Sequence, residues 1–114
     1  MILRNRSTNE VIAANVVLAK TMLQRSIGLL ARKPIAPGEG MWFPNSWAIH
    51  TIGMRAEIDV LFLDAQQRIV SLRSRIRPNR FAIAHFGAAN VVELGAGALH
   101  ATDLLVGDVL ELEA

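Results

Sequence analysis

His50 and Asp59 are the two side chains of this chain best placed to move a proton together. An imidazole bonded to a carboxylate is the base and orienter of many hydrolases. Both lie in the stretch GMWFPNSWAIHTIGMRAEIDVLFLD, residues 40–64. If the segments flanking Met54-Arg55 close into a hairpin, His50 falls opposite Asp59 on one face. Asp59 interrupts the apolar run Ile58 to Leu63, where a carboxylate must be paired, hydrogen-bonded or at an edge. The structural alternative is that Asp59 ties a loop or an arginine to the sheet. The alternative for His50 and Thr51 is a satisfied structural group beside an apolar face. Ser46 completes a nominal Ser–His–Asp set, but a triad is defined by geometry and not by order in the chain.

Two tryptophans flank these groups. Trp42 and Trp47 could form a stacking platform for a sugar or a base; otherwise they pack in the core or at its lip. Pro44-Asn45 between them predicts a bend that brings at least one toward a surface loop. Arg25 and Arg32, seven apart, share a helix face if the helix reaches that far, and could clamp an anion. The candidate binding set is therefore Trp42, Trp47, His50, Thr51, Met54 and Asp59, with Arg25 and Arg32 at its rim. A ligand of this set would be a polar small molecule or a carbohydrate.

The rest of the chemistry is restricted by composition. With 114 residues the chain suggests one domain, 1–114. It has no cysteine, which removes disulfides, zinc thiolates and thiol nucleophiles. His85 and His100 show no metal-ligand spacing, and Gly95, Gly97 and Gly107 fit no phosphate loop. The expectation is no metal and no cofactor. A formal charge of +2 is no nucleic-acid signature, so no nucleic acid is expected. No apolar run approaches the roughly 18 residues of a membrane span. The polar start after Met1-Ile2-Leu3 has no signal-peptide core, which reads as cytoplasmic for the chain as it stands. Oligomeric state is left open.

The positioning elements are mostly strands. Residues 1–6 and 11–19 read as two strands of a hairpin around Ser7-Thr8-Asn9-Glu10. Thr21 caps a helix over residues 22–30, ended by Lys33-Pro34. Residues 68–77 alternate, with Val70, Leu72 and Ile76 inward and Ser71, Arg73, Arg75 and Arg77 outward. That wet face, extended to Arg80, could be an interaction edge for another protein, or an edge strand charged against aggregation. Residues 81–89 are ambiguous, 90–94 and 109–113 read as strands, and 96–105 has room for one short helix. The fold class is all-β, a small sandwich or barrel with one or two short helices.

The ordered set of motifs resembles a known family. It runs through Arg25…Gly28-Leu29…Arg32, Gly40-Met41-Trp42-Phe43, Ile49-His50-Thr51-Ile52-Gly53-Met54 and Ile58-Asp59-Val60-Leu61-Phe62-Leu63-Asp64. It ends in Val92-Glu93-Leu94-Gly95-Ala96-Gly97 and Gly107-Asp108. On these motifs the chain is similar to the domain-of-unknown-function-192 family of small bacterial and archaeal proteins. The resemblance implies a compact β-domain with no established enzyme activity and no known cofactor. The resemblance implies a secretion leader in many relatives; from its polar start, none is expected here. This chain departs from many relatives at Glu57, where they have proline, and at Ala65-Gln66-Gln67, where they have a glycine-containing turn. The functional expectation is a non-catalytic binding or accessory module. A His50/Asp59 hydrolase and a protein-interaction module using the Arg73 to Arg80 edge are the alternatives.

Overall fold

The computed structural model describes residues 1–19 and 34–114. The expected helix over residues 22–30, and with it Arg25 and Arg32, lies outside the described residues. The strands are β1 (Ile2–Asn5), β2 (Val11–Ala13), β3 (Asn15–Leu18), β4 (Glu39–Pro44), β5 (Ala48–Ile49) and β6 (Ile58–Leu63). They continue as β7 (Ile69–Ile76), β8 (Ile83–Ala84), β9 (Asn90–Gly95) and β10 (Leu110–Glu113), with helix α1 (Ala98–Ala101) before the last. The chain is thus mainly β, as its pattern predicts. It forms separate sheets rather than a closed barrel.

A five-stranded sheet, ordered β3-β4-β9-β6-β7, is the centre of the molecule. β6 lies between β7 and β9, and all six of its residues are buried. That explains its continuous apolar run: both faces of a central strand meet protein. Side chains alternate between two cores. Trp42, Leu61, Leu63, Val92 and Leu94 face one, which Leu3, Ile12, Leu99 and Leu110 complete. Those partners come from the three-stranded sheet β10-β1-β2 and from α1. Met41, Phe43, Ile58, Val60, Phe62 and Val91 face the other, covered by Ile83 and Ile49 of the two-stranded ribbon β5-β8.

Three sequence expectations need correction. Residues 11–19 are not one strand: the chain bends at Ala14 and changes sheets. β2 pairs with β1 antiparallel, forming the expected hairpin, whereas β3 runs parallel to β4. Next, the hairpin that would oppose His50 to Asp59 does not form. β5 pairs with β8, and Asp59 lies opposite Leu94 of β9. Both edges of β6 are taken by β7 and β9, so no edge remains for residues 48–50.

Finally, the row of outward arginines on β7 is broken. Ile58 pairs with Ile76 but Val60 with Arg73, so β7 carries an extra residue in between. Arg75 stands in this bulge at φ 51. Arg73 shares the face of Val60 and Phe62, its guanidinium 5.3 Å from the Phe62 ring centre. β7 is nonetheless an edge of the sheet, and the bulge with its exposed charge blunts that edge.

Candidate functional site

Asp59 is fully buried, and both of its oxygens are used. Oδ1 accepts the Arg75 N–H at 2.8 Å. Oδ2 accepts the N–H groups of Gly97 and Leu99, each at 3.0 Å. These are charge-assisted bonds, about twice as strong as neutral ones. One carboxylate thus holds the β7 bulge and the first turn of α1, where Gly97 takes φ 93. A turn this short leaves its leading amides without helical partners, and Asp59 supplies them from a distant strand. The arginine near it is fixed elsewhere: the Arg75 side chain lies 3.7 Å from Glu57.

His50 has different company. Its Nδ1 accepts the Ile52 N–H at 3.3 Å, closing a local turn. Thr51 beside it is fully buried. Its hydroxyl donates to the Arg77 carbonyl at 2.7 Å and accepts the Arg80 N–H at 2.9 Å. Its backbone accepts from Asn79 and donates to the Arg80 carbonyl. The Asn79 side chain in turn accepts the Gly53 N–H at 3.1 Å. Thr51 therefore locks residues 50–54 to residues 77–80. Met54 is half-buried against the core beneath. The Ser46 hydroxyl donates to the Pro44 carbonyl and does not engage His50.

The two tryptophans part company at the predicted bend, where Asn45 takes φ 53. Trp42 is 4% exposed and belongs to the core; Trp47 is 49% exposed. Trp47 stacks on Phe86, ring centres 5.1 Å apart and planes at 25°. The Trp42–Trp47 platform does not exist; a Trp47–Phe86 stack does. Phe86, 83% exposed, and Phe81, 86% exposed, are the residues that sequence reasoning missed. One signal was present: between Asp64 and Glu93 the chain has no carboxylate.

These pieces make one lobe, residues 44–56 and 77–89, built on the β5-β8 ribbon. The pairing extends beyond the strands, from His85 N–H to the Trp47 carbonyl at one end to Thr51 and Arg80 at the other. Arg73 fastens the lobe to the sheet, its Nη2 donating to the Ala84 carbonyl at 2.9 Å. His85 lies over Phe62, ring centres 6.0 Å apart. Trp47 and Phe86 are exposed at one end of the ribbon, and Ile52 and Phe81 at the other. The lobe carries Arg55, Arg77 and Arg80 and no acid. Among the described residues the side chains of these three make no ion pair.

A cavity of about 260 Å³ lies elsewhere, between Ile12, Ala13 and Ile35 on one side and Gly95 to Ala98 with Thr102 on the other. None of the described candidate residues lines it. A second buried acid, Glu93, faces the core of Met41 and Val60. The sequence pattern marked it only as part of a strand.

Comparison with known proteins agrees with this fold and leaves the chemistry unnamed. The chain is 31% identical to a UPF0127 protein of Pyrococcus furiosus over 113 residues, covering 94% of each. It is 28% identical to a UPF0127 protein of Thermococcus sibiricus, covering 96% of this chain and 73% of the relative. A crystal structure from Sinorhizobium meliloti, described as that of a candidate transcription regulator, superposes with a TM-score of 0.80 at 26% identity. The match covers 96% of this chain and 89% of that one. A protein of unknown function from Novosphingobium aromaticivorans shares the fold, with a TM-score of 0.81 at 20% identity. That match covers 97% of this chain and 82% of the other. The family profile described as an uncharacterized ACR matches residues 2–112, and the chain belongs to this domain-of-unknown-function-192 family.

Proposed function

We propose that this domain is a non-catalytic binding module whose recognition surface is the β5-β8 lobe. The observation that carries the reading is the exposed Trp47–Phe86 stack on a lobe with arginines and no carboxylate. Large exposed apolar groups gathered on one surface mark contact sites more often than chance exposure does. The underlying scaffold is fixed by Thr51, Arg73 and the bend at Asn45, so the surface is preformed. The hydrolase alternative draws no support from the site, because Asp59 is enclosed and spends both oxygens on backbone amides. The edge alternative shifts its address: Arg77 and Arg80 belong to the lobe, while Arg73 is bonded to Ala84 and the exposed Arg75 pairs with Glu57. A carbohydrate or other polar small molecule is the second reading, favoured by the half-exposed Trp47 ring, a flat apolar face.

Fluorine-labelled tryptophan tests this directly, since each ring gives its own resonance. Oligosaccharides, an acidic peptide and anionic lipid micelles are added in turn. The reading expects one of them to move the Trp47 resonance and leave Trp42 in place. A probe that binds while leaving Trp47 unmoved places recognition elsewhere and contradicts it.

A further inference from the structure

We infer that the β5-β8 lobe docks on an anionic phospholipid surface; this rests on the lobe being the binding surface. Charge is the first argument. Arg55, Arg77 and Arg80 give the lobe +3, while the whole chain carries +2, so the remainder carries −1. The other nine Lys and Arg are outnumbered by ten carboxylates, so the net positive charge sits on the lobe that also bears the exposed rings. The lobe also holds two of the three histidines, His50 and His85. A second copy of the chain would bring like charges together, which disfavours self-association through this face.

Shape is the second argument. Phe81 is 86% exposed and projects from the ribbon with little protein around it, and Phe86, 83% exposed, touches protein chiefly through the equally outward Trp47 ring. A base-stacking platform or a peptide shelf holds its rings flat against a supporting surface. A free ring such as Phe81, and a stacked pair that itself juts outward, are unsupported for a rigid partner and suited to a fluid one. A bilayer interface conforms to them: aromatic and aliphatic tips enter the headgroup boundary, and arginines above them meet lipid phosphates. Ile52 and Trp47, 37% and 49% exposed, provide a further tip at each end of the ribbon. The lobe thus touches down at two ends, Trp47 with Phe86 and Ile52 with Phe81, with Arg77 and Arg80 beside the second. No span is involved; among the described residues no helix is long and apolar enough to cross a membrane.

Co-sedimentation with vesicles tests the inference, using phosphatidylcholine alone and phosphatidylcholine with about one-third phosphatidylserine. The expected result is binding to the anionic vesicles only, with a blue shift of Trp47 emission. Arg77→Gln with Arg80→Gln should weaken binding roughly thirtyfold, since each arginine near the surface contributes about 1 kcal/mol. Phe81→Ser with Phe86→Ser should weaken it at least tenfold, as a rough figure for lost ring burial. These side chains are exposed, and an unchanged circular dichroism spectrum verifies that the variants fold. Binding that survives loss of both rings is plain electrostatic adsorption and overturns the inference. A lobe that ignores vesicles but responds to an oligonucleotide or an acidic peptide overturns the lipid partner and keeps the binding surface. A lobe that responds to no probe overturns both.

Discussion

Asp59 and Leu99 stand forty residues apart, and the Leu99 amide donates to Asp59 Oδ2 at 3.0 Å inside the core. The same oxygen takes the Gly97 amide, and the other oxygen takes that of Arg75. The most conspicuous acid of the sequence is therefore a clamp joining three parts of the fold. Its chemistry is that of a bound anion among oriented amides, with no imidazole in the arrangement.

Asp59→Asn tests the clamp. An amide side chain has one accepting oxygen and one NH₂, so at least one backbone N–H must face a donor. Unfolding in urea should show a loss of roughly 3 kcal/mol, the scale of losing a hydrogen bond to a buried charged group. Stability within about 0.5 kcal/mol of the parent would remove the clamp from the account.

Arg73 is predicted to hold the lobe to the sheet. It donates to Ala84 and Ser71 and lies over Phe62. Arg73→Ala should speed hydrogen exchange of the His85 amide, which donates to the Trp47 carbonyl. The amides of β6 should stay protected, because local opening of a ribbon needs less free energy than global unfolding. Equal acceleration in β6 and the ribbon would mean that Arg73 acts on the whole fold.

Gln67 supplies a stabilising substitution. It stands at φ 63 in the turn between β6 and β7, and its side chain is exposed. A left-handed conformation costs a residue with a Cβ roughly 1–2 kcal/mol, and glycine escapes that cost while losing some chain entropy. Gln67→Gly should raise stability by about 1 kcal/mol, read from the urea midpoint at unchanged slope. A lower midpoint would show that the glutamine contributes something the turn geometry does not reveal.

The fold was legible where one physical signal dominated. The apolar run of β6 needed no tertiary information, and Asp59 stood out because a carboxylate interrupts that run. Tertiary geometry decided the rest. No periodicity marks Ala14 as the point where the chain leaves one sheet for another. The alternation of residues 68–77 breaks twice: a register shift beside Leu63 puts Val70 and Leu72 on opposite cores, and a second bulge holds Arg75, whose N–H meets the Asp59 carboxylate. A hairpin around Met54-Arg55 would pair His50 with Asp59, whereas β6 pairs with the next strand, β7, and with β9 further along the chain. The Trp47–Phe86 stack is invisible in the sequence because the ribbon that creates it is nucleated by only two residues on each side. The missing carboxylates of residues 65–92 were visible, but their meaning depended on that ribbon.

The central claim is that recognition belongs to the β5-β8 lobe. Amide shift mapping measures it most directly, with anionic bicelles, an acidic peptide and an oligosaccharide added separately to isotope-labelled protein. The account predicts that the largest changes from a bound probe cluster in residues 44–56 and 77–89, led by Trp47, Phe81 and Phe86. Changes confined to the cavity between Ile35 and Thr102, with the lobe unmoved, would contradict it.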